Sequence, residues 1–300
     1  MFGLESQIIN SPRKAVISMI AFFDLFDSPL TIYEIYKNFS GKLELKKIYE
    51  ILDLEVIQQT GIIQQKDGFY FLSGRVEIIK IRQQRYNYTN RKIKIARRFS
   101  RLFSLFPFIK VITLANVIGS YNLRDGSDID FFIITAAKRV WLSRLYCTGL
   151  AKILNSRPNA QTKKDKICLS FYISQEHLDL SDLRLSGDDP YFDYWYLGLI
   201  LLYNKNKVYE QFLQSNEFNN KLNVLKPSNS FATGCVGSFL ENQAKKIQLK
   251  IMPSNLKMAI NNSDGVVVND QVLKFYQHDR RREYAEKYGN KIHEIFKENN

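Results

Sequence analysis

Residues 117–135, VIGSYNLRDGSDIDFFIIT, gather the side chains of this chain best suited to chemistry. An apolar run ends at Gly119 and Ser120, six loop residues follow, and Ser127, Asp128, Ile129 and Asp130 open a second apolar run. Side chains alternate along a strand, so Asp128 and Asp130 are expected on one face, where two carboxylates can hold a divalent ion. Gly119 has no side chain to keep its backbone from a phosphate, and Ser120 offers a hydroxyl and an amide to phosphate oxygens. Mg2+ or Mn2+ shared by the carboxylates and a nucleoside triphosphate would neutralise charge on the α-phosphate and the departing pyrophosphate. The expected chemistry is nucleotidyl transfer to a hydroxyl; a turn and a strand cap are the plain alternative for the two aspartates.

A strand, a loop and a second strand must position these groups. VITLANVI and FFIIT read as buried strands, residues 136–154 as a covering helix with Trp141, Leu145, Leu150 and Leu154 inward, and KICLSFYI as a third strand. Upstream, Val16, Ile17, Ile20, Phe23 and Leu25 mark a helix over residues 11–26 that Ser28 and Pro29 break. Thr31 and Glu34 have capping-box spacing, and Leu45, Ile48, Ile51 and Leu52 give a third helical stripe. Asp67 and Gly68 then sit between two apolar runs as a tight hairpin turn. Three helices and a hairpin make a winged helix-turn-helix, whose third helix ordinarily enters a major groove; protein contact is the alternative, because this third helix is not strongly basic.

With 43 Lys and Arg against 30 Asp and Glu, the net charge of +13 favours DNA, RNA or nucleotide phosphates as partners, although many basic proteins are merely soluble. The bias peaks at residues 75–110, with eleven Lys or Arg and one acid, Glu77. There Arg91, Lys94, Arg97, Arg98 and Arg101 are expected on the outer face of a helix whose Ile93, Ala96, Phe99, Leu102 and Phe103 face a core. Phosphate binding and a plain solvated face both account for that surface. Cys147, Cys168 and Cys235 suggest neither a disulfide framework nor a zinc cluster, which fits a reducing cytoplasm. The first residues lack the pattern of a secretory signal, and no apolar run is long enough to span a bilayer, so a cytoplasmic protein without a membrane partner is expected.

The order strand, Gly119 and Ser120, short loop, then Ser-Asp-x-Asp opening an apolar strand resembles the nucleotidyltransferase superfamily that includes DNA polymerase beta and the small MNT-type proteins. The resemblance covers roughly residues 99–174. It implies that Gly119 and Ser120, with Ser127 beside them, contact the triphosphate, and that Asp128 and Asp130 bind metal and carry catalysis. Active members usually add a third carboxylate on the next strand; here Ser170 stands at the expected position, with Asp165 and Glu176 flanking the strand. Serine cannot replace a carboxylate as general base. A catalytically silent nucleotide- and nucleic-acid-binding regulator is therefore the alternative, and a complex with an unidentified protein partner a third reading. The expected architecture is α+β: a winged helix-turn-helix at 1–75, a small mixed-sheet nucleotidyltransferase fold at 76–187 and a helical C-terminal region at 188–300. In that last region residues 191–202 and the charged stretch around Tyr284, Tyr288, Ile292 and Phe296 read as helices.

Three further features read plainly. His278 to Arg282 form a solvated helix surface, with a nucleotide contact as the alternative; Lys163 and Lys164 belong to a charged loop; and Cys168 is a small core residue.

Overall fold

The computed structural model describes residues 11–39, 42–57, 61–116, 121–159, 161–216, 235–260 and 262–297. Ser11 caps helix α1 (Pro12–Asp24) by accepting a hydrogen bond from Lys14 N, with proline in the first turn, where its missing N–H costs nothing. The capping box forms at α2 (Ile32–Asn38): Glu34 N donates to Thr31 Oγ1 at 3.2 Å and Thr31 N to Glu34 Oε2 at 2.9 Å. Helix α3 (Leu45–Ile57) follows. Strands β1 (Leu30–Thr31), β2 (Ile63–Lys66) and β3 (Phe69–Leu72) make an antiparallel sheet in the order β1-β3-β2. Asp67 and Gly68 join β2 to β3 with φ of 54° and 79°, the left-handed pair that a two-residue hairpin requires.

The 27-residue helix α4 (Ile78–Ser104) leads into a six-stranded mixed sheet. Its members are β4 (Ile109–Leu114), β5 (Ile129–Thr135), β6 (Ile167–Ser174), β7 (Ile200–Asn204), β8 (Val266–Val268) and β9 (Val272–Phe275), in the order β7-β4-β5-β6-β9-β8. Among the described strands only β5 and β6 run parallel, joined across α5 (Val140–Ile153). Ile112, Ile129, Phe131 and Ile133 pack on one face with Ile93 and Phe103 of α4 and Trp141 of α5. Phe132, Ile134, Phe171 and Ile173 pack on the other with Phe192 and Trp195 of α6 (Pro190–Leu197) and Phe212 of α7 (Val208–Asn216). Both faces are covered, which explains why these strands read as continuous apolar runs.

The C-terminal third differs from its helical reading. Residues 191–202 do not form one helix: α6 ends at Leu197, Gly198 caps it, and β7 pairs with the open edge of β4. After α8 (Cys235–Ile251) and α9 (Ser254–Ala259), β8 and β9 extend the sheet from β6 before α10 (Arg281–Lys297). Unpaired edges of β4 and β6 take up short segments whose own patterning is too brief to announce a strand.

Helix α10 returns to the N-terminal module. Tyr288, Ile292 and Phe296 pack against the core of α1 to α3, the Tyr288 ring lies 5.6 Å from that of Phe22, and Lys291 pairs with Asp24. Gly265 sets the approach to this helix, because a Cβ there would lie 2.0 Å from the backbone oxygen of Tyr276. Gly265→Ala is expected to cost about 2 kcal/mol by forcing these backbones apart; a urea midpoint unchanged from wild type would contradict it. Among the described residues no helix is long and apolar enough to cross a membrane.

Candidate functional site

The loop before β5 hangs from the buried side of α4. Lys92, fully buried, donates to the carbonyls of Asp125 (3.1 Å) and Ser127 (2.5 Å) and to the Asp165 carboxylate (2.8 Å). One turn earlier Thr89 accepts from Leu123 N at 2.9 Å, and a further turn back Arg85 donates to Asn122 Oδ1 at 3.2 Å. Arg91 joins Asp125 and Asp165 from the same helix. Burial pushes the Asp165 carboxyl up, but Lys92 and Arg91 outweigh it and leave that group below its ordinary range. Polar residues spaced along one helix thus hold the loop at several points, as a preorganised site needs.

Asp128 ends that loop and Asp130 is the second residue of β5. Their carboxylates converge with the thiol of Cys168, the three ligand atoms all within 4.8 Å of one another. Cys168 stands opposite Asp130 in the parallel register, and Ser170 lies one step further, its hydroxyl 3.2 Å from Cys168 Sγ. A register shift in β6 between these positions and Phe171 separates them from the regular ladder. The sequence reading of Cys168 as a simple core residue is therefore corrected, since it faces the two acids. Alternation alone could have found it, two positions before Ser170.

Crowding of acids in a desolvated corner perturbs both. Burial and the neighbouring Asp128 push Asp130 up to about 7, while hydrogen bonds from Cys168 and Asn116 pull the other way. Burial also raises Asp128, against the attraction of Lys163, Lys92 and Arg157. The Cys168 thiol is raised well above its usual value by burial and then by Asp130 and Asp128, so it is neutral at physiological pH. Asn116 bridges the strands by donating to the Asp128 carbonyl at 3.1 Å, and its own Oδ1 is buried without a partner.

Asp130 and Asn116 open onto a cavity of about 210 Å³. Its walls include Tyr191 and Tyr284, stacked at 5.4 Å and 6°, and Phe171 stacked with Trp195 at 5.6 Å. His278, Arg280, Arg281 and Lys274 line it too. Arg281 and Lys274 are committed to structure, pairing with Asp189 and Asp279, and burial with Arg281 nearby lowers Lys274 to about 8. His278 and Arg280 are exposed, and the Arg280 guanidinium sits 5.0 Å from the Tyr284 ring centroid. The solvated-surface reading of residues 278–282 is corrected for Arg281, which is buried, while His278 and Arg280 stay exposed and line the rim of the cavity containing Asp130.

Gly119 and Ser120 lie outside the described residues. Ser127 closes its own turn by donating to the Arg124 carbonyl at 3.0 Å. Neither flanking acid joins the aspartates: Asp165 is held by Lys92 and Arg91, and Glu176 lies by Ser174. Lys164 pairs with Asp125 at 2.7 Å, and Lys163 is exposed. Among the described residues the metal-capable set is two carboxylates and one thiol, without a third carboxylate. No protein-family model, curated protein or solved structure matches the chain.

Proposed function

We propose that this chain is a nucleotidyltransferase-type protein that binds a nucleoside triphosphate with a divalent ion on Asp128 and Asp130 and transfers the nucleoside monophosphate to an acceptor hydroxyl. The convergence of the two carboxylates at the start of β5, beside a cavity with aromatic and cationic walls, carries this reading. The donors suit the ion: carboxylate oxygens are what Mg2+ or Mn2+ takes, usually one or two from protein with water and phosphate oxygens completing the shell. A neutral thiol is a poor ligand for a hard ion, so Cys168 borders the site rather than ligating Mg2+. The ion, when bound, supplies charge neutralisation at the reacting phosphate. The chain's own residues orient the substrate: Lys92 and Arg91 fix the loop that ends at Asp128. Tyr191, Tyr284 and Arg280 offer stacking and a positive charge. Antiparallel β4 and β5, followed by α5 and parallel β6, support the nucleotidyltransferase fold. Three helices with the β1-β3-β2 sheet support a winged helix at the N-terminus.

One observation favours a second reading, nucleotide binding without turnover. The position facing Asp130 is Cys168, and both flanking acids are engaged elsewhere. Incubation with labelled triphosphates, Mg2+ or Mn2+ and mixed acceptors separates the two. Transfer by wild type, reduced by about a thousandfold or more in Asp128→Ala, is the expected result. Metal-dependent triphosphate binding without transfer would select the second reading, and no such binding in wild type would reject both.

A further inference from the structure

The eleven cations of residues 75–110 divide sharply by position. Arg75, Arg82, Arg85, Arg91 and Lys92 are paired with acids, and Lys110 is buried in β4. Lys80, Lys94, Arg97, Arg98 and Arg101 are exposed on α4, with no acid in ion-pair reach among the described residues. Exposed Lys80, Gln84, Asn87, Lys94, Arg98 and Arg101 recur at alternating four- and three-residue steps, with acid-paired Arg91 at the one remaining position between Asn87 and Lys94. They therefore form one stripe, drifting only about 20° for each seven residues. At 1.5 Å per residue it runs about 31 Å, close to one turn of a nucleic-acid duplex.

We infer that this stripe on α4 binds the phosphodiester backbone of a nucleic acid, and that α3 does not provide the contact. Charge complementarity supports the occupant: four cations lie within two turns at the C-terminal half, and exposed Gln83, Gln84 and Asn87 add hydrogen-bonding groups at the N-terminal half. Tyr86, half exposed and 5.2 Å from the Tyr121 ring, gives a base or sugar a flat surface nearby. A lipid surface fits less well, because the apolar face of α4 is already buried on the sheet, leaving Leu102 and Leu105 as the exposed aliphatic side chains beside its C-terminal cations. Helix α3, the reading helix of a winged module, presents Lys46 and Lys47 together with Glu50 and Asp53, and Lys47 pairs with Glu50 at 3.3 Å. Its exposed face has almost no net charge to attract phosphates.

The inference does not depend on nucleotide transfer. The full chain is tested by fluorescence anisotropy with labelled DNA and RNA, single-stranded and as duplexes of about two helical turns. Binding is followed between roughly 50 and 200 mM salt. Wild type is expected to bind at least one of these probes. Lys94→Ala/Arg98→Ala/Arg101→Ala should weaken that binding at least about tenfold and reduce the log–log salt slope by about 3. The single change Arg98→Ala should lower the slope by about 1 without unfolding risk, since the side chain is exposed. Lys46→Ala/Lys47→Ala should bind as wild type. The inference is overturned if no probe binds at low salt, if the α4 variants bind as wild type, or if the α3 variant alone loses binding. It is also overturned if vesicles with an anionic lipid bind while every nucleic acid fails.

Discussion

Lys92→Met is expected to destabilise the protein by about 3 kcal/mol, because it removes one partner of a buried ion pair and strands two carbonyls. The side chain is fully buried and serves Asp125 O, Ser127 O and Asp165 at once. Arg91 still reaches Asp165, which keeps the loss below the upper end for breaking a buried pair. The consequence extends to the site, since the loop that ends at Asp128 loses its main tether. Urea denaturation read by tyrosine and tryptophan fluorescence checks the first part, and Mn2+ titration of the folded variant the second. A loss under about 1 kcal/mol would mean that the loop is held by other contacts.

Asp130→Asn is expected to do the reverse in the presence of a chelator, raising stability at pH 8 by about 2 kcal/mol. Asp130 titrates near 7 when folded, against an ordinary carboxylate value of 3.8. Between those values the native state holds more protons than the unfolded chain, so its stability falls as pH rises from about 4 to about 7. Asparagine has no such proton to lose and removes that part of the slope. At pH 4 wild type and variant should lie close together; at pH 8 the variant should be the more stable. Denaturant midpoints at the two values decide it, and a variant no more stable than wild type at pH 8 would refute the account. A stabilising substitution at a strained acid is the behaviour expected of a residue kept for function rather than for folding.

Much of the site was legible because its signals are local. Alternation along a strand is enough to put Asp128 and Asp130 together, and the Thr31–Glu34 box and the Asp67–Gly68 turn depend only on neighbours in sequence. What escaped notice depends on distant partners. Nothing within ILLYN marks it as a strand until the edge of β4 is present, and the short β8 and β9 likewise need β6. Cys168 looked apolar because its strand is apolar, and the acids it faces are nearly forty residues earlier. His278 and Arg280 reach the cavity only because β9 lies beside β6. The basic helix was legible as basic but not as divided: which cations turn inward is decided by where Asp24, Asp27, Glu34, Asp125 and Asp165 lie in space.

The return of α10 to the first helices ties the two extremities of the chain into one fastening. The strap that walls the cavity at His278 and Arg280 continues without interruption into the residues that grip Phe22 and Asp24. One continuous segment therefore serves both as a wall of the hollow and as the seat of the N-terminal module.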